Sequence, residues 1–132
     1  MCLYDGNSSK SKRLFLRFED DGLEAVGRAA GAFSIRRRGG FQAEPRDRLD
    51  YQVSVTNPVT GAKETVTNGR AVDWQGVNNP KYLRQVILPG GREAVQCVPA
   101  PIVLTTPAFS ASSKNAGEYT GTLRIIYTPS TL

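Results

Sequence analysis

The chain of 132 residues has no histidine, one methionine, one tryptophan and two cysteines. Without histidine, Ser-His-Asp and Cys-His hydrolases, histidine acid–base chemistry and histidine-containing zinc sites are excluded. No apolar run reaches the roughly 20 residues of a membrane-spanning helix. The opening Met1-Cys2-Leu3-Tyr4-Asp5 carries neither the basic region nor the apolar stretch of a signal peptide. These absences predict a soluble chain with no membrane insertion, any export signal having been removed or lying further upstream. No repeat, linker or compositional break divides the sequence, and its length is that of one domain over 1–132.

Catalysis would have to rest on the twelve carboxylates. The densest group, Glu19-Asp20-Asp21-Gly22, reads as a solvated turn rather than an acid–base pair or a weak cation site. The strand pattern sets no two acids at facing positions of a cleft, as a glycosidase would need. The expectation is a protein that is not an enzyme and takes no cofactor or metal.

Seventeen Lys and Arg against twelve Asp and Glu give a net charge of +5. Such a balance raises an anionic partner, a glycan or another polyanion, with Arg36, Arg37 and Arg38 as the contact. The run is only three arginines long, and elsewhere cations alternate with anions, as in Glu44-Pro45-Arg46-Asp47-Arg48-Leu49-Asp50. No RNP-type aromatic motif, zinc knuckle or recognition helix accompanies it, so nucleic acid is not expected. A solvated loop followed by a charged turn is the plainer reading.

Cys2 and Cys97 lie far outside any CxxC spacing, which removes thioredoxin-like and zinc sites. A structural disulfide fits them in an oxidising compartment; in a reducing one they would be unpaired buried thiols.

What the sequence has in abundance is period-two alternation, in short segments bounded by Gly, Pro, Asn and Asp. Leu14, Leu16 and Phe18 share one face of the first segment, and Phe33 and Ile35 one face of the second. Over 49–56, Leu49, Tyr51, Val53 and Val55 face one way and Asp50, Gln52, Ser54 and Thr56 the other, as half-buried antiparallel strands require. The turn Asn57-Pro58-Val59-Thr60-Gly61 joins that strand to 63–67 in a hairpin. Further strands are expected at 71–74, 83–88, 94–98 and 102–105, with prolines 89, 99, 101 and 107 at ends or edges. The final segment, 119–127, is the most regular, with Tyr119, Leu123, Ile125 and Tyr127 sharing one face with Gly121. Only 22–30 hints at helix, weakened by two glycines. The fold class is all-β: one immunoglobulin-like sandwich of about seven to nine short strands.

Five stretches carry a resemblance. They are Cys2-Leu3-Tyr4-Asp5-Gly6, Asn57-Pro58-Val59-Thr60-Gly61, Leu88-Pro89-Gly90, Cys97-Val98-Pro99-Ala100-Pro101, and Ala116-Gly117-Glu118-Tyr119-Thr120-Gly121-Thr122-Leu123 ending in Tyr127-Thr128-Pro129. In this order they resemble the CblD/CfaE-type tip subunits of bacterial chaperone–usher fimbriae, over the C-terminal, pilin-like half of such proteins.

The resemblance implies a sandwich lacking its final strand. A periplasmic fimbrial chaperone would fill the groove first, and the N-terminal strand of the next subunit, the major pilin, would replace it at the outer-membrane usher. Carried onto this sequence, Gly121, Leu123, Ile125 and Tyr127 would form one wall of the groove, Gly121 admitting a large donor side chain. Leu14, Leu16 and Phe18 would form the opposite wall. An alternating terminal strand with no strand after it leaves an edge that needs covering, in agreement. The implied location is the periplasm in transit and then the fimbrial tip outside the cell, in bacterial attachment. Family tip adhesins carry a receptor-binding domain ahead of this one, so the chain is expected to be either a piece of such a protein or a minor subunit without that domain. The polar stretch from Gly6 to Lys12 offers no strand to donate, which suits a subunit that only accepts.

Overall fold

The computed structural model describes residues 1–4, 6, 11–21, 28–40 and 44–131. Among them eleven strands follow in order: β1 (Cys2–Leu3), β2 (Arg13–Asp20), β3 (Phe33–Arg37), β4 (Arg48–Thr56), β5 (Lys63–Thr65), β6 (Ala71–Gln75), β7 (Arg84–Ile87), β8 (Ala94–Pro99), β9 (Ile102–Thr105), β10 (Tyr119–Thr120) and β11 (Leu123–Ser130). Three single 3-10 turns, Pro45–Asp47, Pro80–Tyr82 and Ala111–Ser113, are the helical elements among the described residues. No described helix is long and apolar enough to cross a membrane. The weak helical pattern over 22–30 lies, through residue 27, outside the described residues.

All pairings are antiparallel, in sheets ordered β1-β8-β7, β10-β3-β4-β5 with β9 also on β4, and β11-β2-β6. The architecture is the all-β, immunoglobulin-like sandwich that the alternation predicts. Leu14, Leu16 and Phe18 are 2%, 0% and 0% exposed, and facing them across the ladders stand Trp74 and Val72 of β6. Val53 and Val55 of β4 and Phe33 of β3 close the core, with Tyr51 stacked on Phe33 at 5.6 Å between ring centres. Burying each such side chain contributes about 1.5–3 kcal/mol.

The β4–β5 hairpin forms where its turn residues predict it. Asn57 Oδ1 accepts from the Val59 N–H at 2.9 Å, the Gly61 N–H donates to the Asn57 carbonyl at 2.8 Å, and Gly61 takes a φ of 74°. The Cys2–Cys97 disulfide is present and ties β1 to β8, with the Cα atoms 5.4 Å apart.

Three expectations are corrected. The regular stretch 119–127 is not one strand, because it breaks at Gly121 and Thr122 and its two pieces join different sheets, β10 on β3 and β11 on β2. With β1 and β10 only two residues long, this split raises the strand count above seven to nine. The acidic group is not a solvated turn: Glu19 and Asp20 end β2, and the Asp20 side chain is 2% exposed. Its oxygens accept from Arg28 Nη1 at 2.7 Å, the Ser34 N–H at 3.0 Å and Asn68 Nδ2 at 2.9 Å, which satisfies the buried charge. Nor is the charged segment 44–50 simply solvated, since Asp47 and Arg48 are buried and paired, Asp47 with Arg37 and Arg48 with Asp50.

Candidate functional site

The site is built on β11. Its register with β2 pairs Leu123 with Asp20, Ile125 with Phe18, Tyr127 with Leu16 and Pro129 with Leu14. Directly opposed residues share a face, so Leu123, Ile125, Tyr127 and Pro129 point to the core side of the sheet. Burial is nonetheless uneven across this row. The β2 members Leu14, Leu16 and Phe18 are sealed, Leu123 and Ile125 are half-buried against the core, and Tyr127 is 41% exposed.

The backbone of β11 is equally one-sided. The Gly69 N–H donates to the Phe18 carbonyl and the Gly76 N–H to the Lys12 carbonyl, both at 2.8 Å, so even-numbered carbonyls at both ends of β2 face β6, although just before the strand the Lys12 N–H turns to the Ser130 carbonyl at 2.9 Å. Peptide groups alternate in direction along a strand, so the even-numbered residues of β2 bond towards β6 and the odd-numbered ones towards β11. The β11 partners of those odd residues are Arg124, Ile126, Thr128 and Ser130. The peptide groups of Leu123, Ile125, Tyr127 and Pro129 therefore point outward, to an edge with no partner strand among the described residues.

Across from this edge lies the start of the chain. Tyr127 donates its hydroxyl to the Tyr4 carbonyl at 2.8 Å. The Ala100 N–H donates to the Met1 carbonyl at 2.7 Å, and the disulfide holds Cys2, so the segment 1–4 is fixed beside β8.

The expected opposite wall does not lie on β2. Leu14, Leu16 and Phe18 do not stand across a groove from β11; they belong to its hydrogen-bonded neighbour in the same sheet. The side chain of Tyr127 spans instead to Tyr4. Gly121 also has another geometric role, because a Cβ there would lie 2.8 Å from Ile35 Cγ2, so the missing side chain accommodates a residue of this same chain. Sequence reasoning passes over Pro129 as a site residue, although a proline inside an alternating segment marks an edge strand.

A second edge exists on β9. Its Leu104 pairs with the buried Val53 and so faces the core side, yet is 57% exposed. This strand has four residues, with Pro101 just before it and Pro107 just after, devices that blunt an edge. By contrast β11 runs eight residues.

The arginine run is mostly engaged. Arg37 Nε donates to Asp47 Oδ1 at 2.7 Å, and that carboxylate raises the Arg37 pKa above its ordinary value, chiefly through the hydrogen bond. Arg38 lies 3.7 Å from Glu118, and Arg36 is exposed beside Thr120. Elsewhere Arg13 forks onto Asp73 at 2.8 and 2.6 Å, and this hydrogen bonding holds the Asp73 carboxyl below the usual carboxylate range. Among the described residues no group of three or more Cys, Asp or Glu side chains is placed to hold a metal ion.

A protein family described as the second domain of the CFA/I fimbrial protein CfaE matches residues 1–131. The chain belongs to this family. The CFA/I fimbrial protein CfaE of Escherichia coli is 29% identical over 133 residues, which cover 98% of this chain and 33% of that protein. A crystal structure of the CFA/I adhesin CfaE of enterotoxigenic E. coli, in a glycine-to-aspartate mutant, superimposes with a TM-score of 0.75 at 27% identity, covering 100% of this chain and 34% of the other. A chain from a chaperone–tip adhesin complex of CFA/I fimbriae gives a TM-score of 0.61 at 26% identity over 98% of this chain and 32% of the other. The chain thus spans about a third of the length of the relatives it matches, and what it shares with them is a fimbrial, pilin-like domain.

Proposed function

We propose that this chain is the strand-accepting domain of a fimbrial tip, or initiator, subunit. The outer edge of β11 takes an extended strand, first from a periplasmic chaperone and then from the major pilin at the outer-membrane usher, anchoring a tip adhesin to the pilus. The observation that carries the reading is the exposure of Tyr127 on the core side of a sheet whose neighbouring row is sealed. An added strand would bond to the outward peptide groups of Leu123, Ile125 and Tyr127 and cover their side chains, the physics of β-strand addition. The chaperone–tip adhesin complex among the structural relatives supports a chaperone as the first partner. The resulting path runs through the periplasm to the outside of the cell.

The test is a thermal melt of the oxidised chain, with and without a peptide of the N-terminal strand of the major fimbrial subunit from the same organism. A strand that binds only the folded state stabilises it by about 2.7 kcal/mol at a hundredfold excess over Kd. A large upward shift is expected. No shift in an already stable protein would mean a closed fold and would overturn the proposal.

A further inference from the structure

We infer that Pro129 sets the end of the donor ladder. This inference rests on the strand-accepting reading of β11 and adds which residue limits the strand it accepts.

Pro129 is an outward-pointing position of β11, opposite Leu14 but not bonded to it, so the absence of an N–H takes nothing from the ladder with β2. The same residue at Thr128 or Ser130 would remove an inward bond. On the open side, N–H donors stand at Leu123, Ile125 and Tyr127, and the series stops at Pro129, which offers only a carbonyl. A donor strand shifted further along would set one of its own carbonyls against the proline ring, desolvated and unpaired, a state that is strongly disfavoured. A shift of a single residue is disfavoured too, since it turns every apolar donor side chain away from the row formed by Leu123, Ile125 and Tyr127. The alternation and the proline together thus exclude one-residue shifts and any register that carries the donor ladder past Tyr127. Pro129 also shortens the edge offered to a second copy of the chain, which is how exposed edges are kept from pairing at random.

The probe is a synthetic peptide of alternating valine and threonine, and the readout is residue-resolved amide hydrogen exchange together with Kd, on the full chain and on Pro129→Ala. Pro129→Val serves as a second variant, in case the alanine form folds poorly. In the natural chain the peptide is expected to slow exchange at Leu123, Ile125 and Tyr127. In either variant the new amide at position 129 is expected to become protected as well, with binding tighter by roughly three- to tenfold, the worth of one more main-chain bond. If the three amides are protected but position 129 exchanges freely at unchanged Kd, the inference about Pro129 falls and the strand-accepting reading stands. If none of the β11 amides is protected in any form, that reading falls and takes this inference with it.

Discussion

The Tyr127 hydroxyl donates to the Tyr4 carbonyl at 2.8 Å, so the last strand is fastened to the first segment of the chain by a side chain rather than by a ladder of main-chain bonds. A strand entering along β11 has to part these two residues or pass beneath the bond between them. Because Tyr127 is 41% exposed, water readily replaces its partner. The Tyr127→Phe variant is therefore expected to lose at most about 1 kcal/mol of stability in a denaturant titration. Donor-peptide affinity should stay constant or rise by up to about fivefold, the same free energy read as binding. A clear fall in affinity would show instead that the hydroxyl contacts the donor.

Gly121 separates two accounts of a missing side chain. If its space serves Ile35, whose Cγ2 lies 2.8 Å from the position of a Cβ, then Gly121→Ala overpacks the domain by itself. The expected loss is about 1–3 kcal/mol without any donor present. In an Ile35→Ala background the penalty should shrink, which a double-mutant cycle measures. A variant of unchanged stability that binds the donor peptide less well would return Gly121 to the role of admitting a donor side chain.

How far the sequence reveals this fold follows from what alternation encodes. Leu14, Leu16 and Phe18, or Val53 and Val55, announce both a strand and its inner face, and the structure buries all five. The Asn57–Gly61 turn is legible because its chemistry is local. Strand neighbours are not local, and alternation is silent on them. Hence the pattern alone allows β2 to stand across a groove from β11, when it is bonded beside it. The break at Gly121 is hidden for a similar reason: period two continues through it, while the chain passes from one sheet to another. Asp20 misleads because its acidic neighbours suggest water, whereas the three donors that satisfy it come from distant positions 28, 34 and 68.

The Asp20 cluster leads to a prediction about stability alone. Its carboxylate and the Arg28 guanidinium are 2% and 8% exposed, so truncating one partner leaves the other charged and buried. The Asp20→Ala variant is expected to lose about 3–5 kcal/mol. The Arg124→Ala variant provides the contrast, since its pair with Glu19 is 60% and 26% exposed and is worth about 0–1 kcal/mol. Equal losses in urea titrations of the two variants would mean that water reaches Asp20.

The disulfide has a local consequence that its global contribution hides. Cys2 and Cys97 are separated by 95 positions, and a cross-link closing so long a loop stabilises by about 4–5 kcal/mol on the chain-entropy model. Besides that link, β1 is held by a ladder of two residue pairs, Cys2 to Pro99 and Leu3 to Val98, by the bond from Ala100 to Met1, and by the buried Leu3 side chain. So small a set of contacts should open before the rest of the domain does. In the double variant Cys2→Ser, Cys97→Ala, the Ala100 amide is accordingly expected to exchange faster than the β2 amides, whose ladders on both sides remain. The bond between Tyr4 and Tyr127 would be lost in the same step, leaving the β11 edge open at that end. An Ala100 amide that stays as protected as those of β2 would show that the packing of Leu3, and not the cross-link, holds β1 in place.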